Sequence, residues 1–449
     1  KVQASRPQLG AWNAPTKGGG AMSVLAAPLE GEEIAGIRAR FPDFDGDVPE
    51  EAKYWSRGDL ELFFGSGGQL KPRETAKTSV PTCALLSRLR QRLAEDGIEE
   101  ATAEYRSFCR HLREHSEAPQ RLPAAASCTE VPRAEKPPGL LKVPVIVRSP
   151  KDWKARQWGL DFWRREYGSE WWKLRARSPM FELDKKSADK LAVDGTVAEY
   201  VDYVRVVQKL DPSCKEDSML AFPRVALGSW CPFVSCARTL FESSWKSLRL
   251  PGVKDFSVRW MKLFSATFNM DWVEFMSRYW KVSLAAPGVI SRLHKENHSA
   301  HAWYSQIEGR RLFCLFPPTD GRCLHEESGT PCGGPEGYAA AASPVDIFFP
   351  NQKRHSSFAE ARAQVAVLEP GETLLLPMGW WRYDVALTPS VTLHHPFWNL
   401  ENRKHILSEL KEAFVEEQMP PELKELSGRH FAVLQEHIAD DEDSDMDDD

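Results

Sequence analysis

Apolar positions recur along this chain at two different periods, and the change of period divides it. Between Gly31 and Ala118 they return every three or four residues, as Ile34, Ile37 and Phe41 and again as Leu85, Leu86, Leu89 and Leu93, which is the spacing of one helix face. From Leu140 onward the pattern becomes β-rich: Val143–Arg148, Leu312–Phe316, Val365–Leu368, Thr373–Leu376, Trp380–Leu387 and Ser390–Phe397 read as strands. Pro370-Gly371 gives a restricted φ followed by a permissive one, so it predicts a type II turn and a hairpin into Thr373–Leu376. Phe358–Ala363 reads as a short helical turn. Thr196-Val-Ala-Glu199 is a capping box, predicting a helix through Leu210 with Val197, Tyr200, Val201 and Val204 on its buried face. Trp153, Trp158, Trp163, Trp171 and Trp172 are expected in the core, and the dense aromatic run Phe256–Val282 suits a buried sheet surface or a substrate wall. Helical spacing returns in Asn399–Glu417, where Ile406, Leu407, Leu410 and Phe414 form a stripe, and continues through Glu422–Ile438.

The expected organisation is therefore a flexible linker over 1–28, a helical accessory region over 29–118 and a Pro/Ala-rich linker over 119–139. The main domain follows over 140–398, then C-terminal helices over 399–438 and an acidic disordered tail over 439–449.

Composition changes this picture in three places. With 449 residues, 42% hydrophobic and 16 tryptophans, the chain can bury one large core or two, and the middle is not a disordered segment. The net charge of -6 comes from the last ten residues, which hold eight acids and no base and leave the rest at about +2. No basic face points to nucleic acid, and no apolar run approaches the roughly 18 residues of a membrane span. Nine scattered cysteines argue for a reducing compartment, hence an intracellular protein, cytoplasmic or nuclear. Lys1 in place of a methionine leaves an upstream segment open.

Candidate chemistry concentrates in Ser291–Pro318, where His294, His298 and His301 fall within eight positions and Glu296 stands two after the first. A histidine and a carboxylate two apart on an extended segment point the same way. An imidazole nitrogen with a carboxylate oxygen is the start of the facial ligand set of non-haem Fe(II) oxygenases. Cys231 and Cys236 stand too far apart for a usual zinc half-site, and Cys323, His325 and Cys332 lie in a Gly/Pro-rich loop.

His294, Glu296, Gln306, Gly309, Arg311 and Pro317-Pro318, followed by SPVDIFFP and QVAVLEPGETLLLPMGWWRYDVALTPSVTL, resemble the metal-binding blocks of the JmjC and cupin-like 2-oxoglutarate oxygenases, the factor-inhibiting-HIF-like branch above all. The resemblance implies an α+β fold: a double-stranded β-helix, or jelly roll, with flanking helices, beside the N-terminal helical region. It implies Fe(II) and 2-oxoglutarate as cofactors, a protein or peptide substrate for hydroxylation or demethylation, and C-terminal helices that either form a homodimer or pack on their own domain. His294 and Glu296 take ligand places, while Arg311, Ser291 and Tyr304 take cosubstrate places. At the second metal histidine, directly after the tandem tryptophans, this chain has Arg382, whose guanidinium has no free lone pair. Two outcomes stay open. His394, or else His301 or His298, replaces the missing ligand, or Arg382 pairs with Glu296 and the domain is a binding or scaffold module.

Overall fold

In the computed structural model the described residues are 31–48, 57–65, 67, 83–95, 125–176, 192–213, 224–227, 230–296, 299–328, 341–348, 350–416 and 420–441. The chain divides into two compact units, Lys1–Ser79 and Val80–Asp449. In the first, helices α1 (Gly31–Arg38) and α2 (Arg57–Gly65) bury Ile37, Phe44, Leu60, Phe63 and Phe64 in a small core of their own.

The second unit carries helices α3 (Ala84–Glu95), α4 (Leu160–Tyr167), α5 (Val197–Ser213), α6 (Arg238–Leu248), α7 (Ser257–Thr267), α8 (Trp272–Ser277), α9 (Arg403–Leu410) and α10 (Pro421–Ala439). Its strands are β1 (Ser127–Glu130), β2 (Val145–Arg148), β3 (Trp171–Ala176), β4 (Val193–Thr196), β5 (Val225–Leu227), β6 (Lys281–Ala285), β7 (Ile290–Lys295) and β8 (His301–Glu308). They continue with β9 (Arg311–Phe316), β10 (Glu327–Ser328), β11 (Ala341–Ala342), β12 (Arg362–Leu368), β13 (Glu372–Leu376), β14 (Trp381–Ala386) and β15 (Ser390–Phe397).

Two sheets carry the site. One runs β1-β12-β9-β14-β7-β11-β10, the other β2-β13-β8-β15-β6, and a small third sheet, β4-β3-β5, stands apart. All pairings in the two large sheets are antiparallel except β1 with β12. The sheets face each other as in a jelly roll, and among the described residues no hydrogen-bonded ladder closes one onto the other. Alternation along each strand decides what enters the space between them. Phe313 and Leu315 of β9 and Ala366 and Leu368 of β12 meet Ile146, Ala302, Tyr304, Leu374 and Leu376 of the opposing sheet. Their alternating neighbours Trp303, Leu312, Cys314, Val365 and Val367 turn outward into the larger core shared with the helices.

Several sequence expectations meet their structure here. The capping box closes reciprocally: the Glu199 amide donates to Thr196 Oγ1 (3.1 Å), and the Thr196 amide donates to Glu199 Oε2 (2.9 Å). Arg88 of α3 clamps the same carboxylate with two hydrogen bonds, and Leu85, Leu86 and Leu89 join the main core. That helix therefore belongs to the larger unit, not to an accessory region ending at 118. The stretch 119–139 is not all linker, because Ser127–Glu130 pairs with Arg362–Val365 as an outer strand. The turn at Pro370-Gly371 forms, with Gly371 at φ 86° and the Glu372 amide donating to Glu369 O (2.9 Å). It is not a hairpin, because β12 and β13 enter opposite sheets; burying both strands facewise overrides local pairing. Phe256–Val282 is mostly two helices, α7 and α8, not a sheet surface. Trp153, Trp158 and Trp163 are buried, but Trp171 is 65% exposed. Helix α10 packs Phe431, Leu434 and Ile438 into the domain's own core. Phe414, His298 and Cys332 lie outside the residues whose side chains are described.

Gly309 sits at φ 72° between β8 and β9, and a Cβ there would stand 1.9 Å from Pro389 O. Gly309→Ala is expected to destabilise the fold by roughly 1–3 kcal/mol from backbone strain alone, before the clash is counted. Gly428→Ala, in α10 with nothing within 4 Å of its Cβ, should instead gain about 0.5–1 kcal/mol. Urea denaturation of both variants checks this.

Candidate functional site

β7 and β14 lie side by side with Arg382 directly opposite His294 and Asp384 opposite Ser291, with a bulge between the two pairs. Period two then aims Arg382 and Asp384 into the interior together. From β9 comes Arg311, and from the facing sheet come Tyr304 and His394, which are cross-strand partners on β8 and β15.

The geometry centres on the Arg382 guanidinium. Its Nη2 donates to His294 Nε2 (2.8 Å) and to Glu296 Oε1 (3.1 Å), and its Nε also reaches Glu296 Oε1 (3.3 Å). Nη1 donates to Ser291 Oγ (3.3 Å) and to Asp384 Oδ2. The other oxygen of Asp384 accepts from Arg311 Nη1 (3.0 Å), and Arg311 Nη2 extends to Ser283 Oγ (3.0 Å) and Ser390 Oγ (3.4 Å) across the interior. Tyr304 donates its hydroxyl to Glu296 Oε1 and lays its ring under the Arg382 guanidinium, 4.6 Å from the ring centre. The result is a buried chain of alternating sign, Glu296–Arg382–Asp384–Arg311, with the Arg382 and Asp384 side chains 9% and 3% exposed.

His294 Nδ1 lies 2.6 Å from Arg292 O, a carbonyl that only accepts, so Nδ1 carries the proton and Nε2 offers its lone pair to Arg382. Burial first, and then the charge of Arg382, push its pKa down to about 4. Burial works against ionising Glu296, but His394, Arg382, His294 and the Tyr304 hydroxyl outweigh it and hold the carboxyl well below the usual range. Burial lowers the pKa of Arg382, but Tyr304, Asp384 and Glu296 outweigh it and raise it above its ordinary value. His394 stacks flat on Tyr304 (4.4 Å between centres, 8°) and is kept neutral mainly by burial, with Nε2 3.6 Å from Glu296 Oε2 and no hydrogen-bond partner.

Every site residue expected from sequence except His298 can be placed. His294, Glu296 and His394 do gather, as do Arg311, Ser291 and Tyr304, but around a guanidinium. The two atoms that His294 and Glu296 would offer to a metal are both donated to by Arg382. Arg311 and Ser291, expected against a cosubstrate, are bonded to Asp384 and to Arg382 respectively. The side chains present do not fit a divalent ion: a second cation between His294 Nε2 and Glu296 Oε1 would overlap the guanidinium and repel it. Among the described residues no group of three His, Cys, Asp or Glu is set to hold a metal ion. His301 is on the outward face of β8, against Phe397 and accepting from the Met378 amide (3.1 Å), so it is not part of the site. Cys231 Sγ contacts Arg278 O, and His325 Nε2 bonds Ser357 Oγ (2.9 Å). Asp384 was missed from sequence. Its signal was its place two residues after Arg382 on one strand.

Residues 214–401 match the cupin-like domain family, in keeping with the jelly-roll arrangement of the two large sheets. Among particular proteins, the chain is 33% identical over 93 residues to the HSPB1-associated protein 1 homolog of Danio rerio, covering 21% of this chain and 19% of the relative. It is 28% identical over 119 residues to lysine-specific demethylase 8 of Xenopus tropicalis, covering 25% and 23%. It is 26% identical over 160 residues to the 2-oxoglutarate and iron-dependent oxygenase JMJD4 of Mus musculus, covering 34% of each. The match thus spans between a fifth and a third of these relatives' lengths. Among the described residues, no helix is long and apolar enough to cross a membrane.

Arg382→Met is expected to lower stability by about 3–5 kcal/mol, because it strands Glu296 and leaves Asp384 with Arg311 alone, as removing one member of a buried pair does. Chemical denaturation of the variant against the parent chain measures it.

The buried histidines add a pH dependence. His294 and His301 are held down to about 4, while the unfolded chain titrates near 6.5. The unfolded state then binds more protons below 6.5, so stability falls as pH drops from about 6.5 toward 4. Urea midpoints at pH 7.5 and pH 5 should differ in that direction, and the difference should shrink in His301→Phe.

Proposed function

We propose that this domain is a protein-binding module on a cupin-like scaffold, with an arginine standing where an oxygenase would hold its metal, and that it does not turn over 2-oxoglutarate. The observation that carries the reading is the contact of Arg382 Nη2 with both His294 Nε2 and Glu296 Oε1. A permanent cation fixed on those atoms satisfies the histidine lone pair and the carboxylate, which are the first two donors any metal would need. The partner is a protein. A relative is named as an HSPB1-associated protein homolog, and by that likeness HSPB1 or a protein like it is the first candidate. Cys83, Cys128, Cys231, Cys236, Cys314 and Cys323 are free thiols, which supports an intracellular, cytoplasmic or nuclear setting.

One observation favours the oxygenase reading instead. His394 Nε2 has no hydrogen-bond partner and lies 3.6 Å from Glu296 Oε2, so His294, Glu296 and His394 would form a ligand set if Arg382 swung away.

Succinate release from 2-oxoglutarate in the presence of Fe(II) and ascorbate separates the two. The wild-type chain should release none above a no-protein control, and Arg382→His should gain measurable Fe(II) or Co(II) binding that the parent lacks. Wild-type turnover that disappears in His294→Ala would establish the oxygenase and end the scaffold reading.

A further inference from the structure

Asp384, which the sequence did not single out, stands between the two buried arginines. Among the described residues it is the carboxylate bonded to Arg311, and its second oxygen holds Arg382. The remaining contacts of Arg311 are hydroxyls, Ser283 and Ser390, and its Nε is buried with no hydrogen-bond partner. Arg311 Nη1 donates to one oxygen of Asp384 and Arg382 Nη1 donates to the other, so two buried guanidiniums converge on a single carboxylate position with charge-assisted hydrogen bonds. Asp384 fills that position from its own strand.

We infer that Asp384 is an internal ligand: its carboxylate occupies a carboxylate-binding site built on Arg311, and it is the residue that closes the interior to carboxylic acids from solution. The inference rests on the reading that Arg382 is the resident cation, because Arg382 is the second donor to the same carboxylate. Shortening Asp384 to alanine removes one negative charge and the volume of one carboxylate. It leaves Arg311 Nη1 and Arg382 Nη1 aimed at the vacated space, with Glu296 as the remaining anion against two cations. Formate or acetate matches that space and charge. Asparagine would fill the same space without the charge, so Asp384→Asn should admit nothing.

The test is rescue of stability by small carboxylates. Asp384→Ala should unfold at a lower temperature than the parent chain. Its midpoint should climb saturably with sodium formate, by roughly 2–4 °C at concentrations about tenfold above the dissociation constant. Sodium chloride of equal ionic strength should not reproduce the rise, and neither the parent chain nor Asp384→Asn should respond. Adding Arg311→Met to Asp384→Ala should abolish the response. If Asp384→Ala folds too poorly for a melting curve, refolding yield with and without formate is read instead, and equal yields overturn the proposal. An equal response to formate in the parent chain or in Asp384→Asn overturns it as well, and so does an equal response to chloride. Wild-type 2-oxoglutarate turnover would overturn the underlying reading by a separate measurement.

Discussion

Four charged side chains share the buried space between two sheets, and each is tolerable only because the next one is there. Moving a single carboxylate or guanidinium out of water costs several kcal/mol even after relaxation, so a lone charge in this position would protonate, move or unfold the domain. Glu296, Arg382, Asp384 and Arg311 alternate in sign and hand hydrogen bonds along the row, leaving the group neutral as a whole. The surrounding polar groups follow from that row. Tyr304 turns its hydroxyl to Glu296 and its face to Arg382, His294 presents a lone pair because its other nitrogen is committed to Arg292 O, and serines close the Arg311 end.

The fold supplies this arrangement through register. β7 and β14 are neighbours with His294 opposite Arg382, so the donor and the acceptor meet without any long side chain having to reach. Arg311 arrives from β9 on the other side of β14, and the opposing sheet contributes Tyr304, His394, Ser283 and Ser390. The network therefore ties the two sheets together beside apolar residues such as Phe313, Leu315, Leu374 and Leu376.

A cupin-like scaffold hosts many activities, and likeness over a fraction of the chain to proteins named as oxygenases or as an HSPB1-associated protein does not choose among them. Side chains at the centre choose. After the tandem tryptophans, Arg382 takes both His294 Nε2 and Glu296 Oε1 as hydrogen-bond acceptors. Asp384 then makes that arginine compatible with Arg311, because two guanidiniums in one buried space need a carboxylate between them.

How far the sequence reached depended on the range of the forces involved. The capping box at Thr196, the buried face of α5, the turn at Gly371 and the inward aim of His294 and Glu296 are set by neighbours a few residues away, and all were legible. So was the conflict at Arg382, because a guanidinium cannot ligate a metal in any context. The partners of Arg382 were only half legible, since Glu296 could be guessed from charge, whereas Asp384 looked like one more strand residue. The assignment of β12 and β13 to opposite sheets, the strand hidden in a Pro/Ala-rich stretch and the stacking of His394 on Tyr304 were not legible either. Sequence determined which groups carry charge and which way each points along its own strand. Tertiary structure alone decided which charges face each other, because pairing register and sheet-to-sheet packing minimise burial costs over the whole domain, and no local pattern of residues encodes that sum.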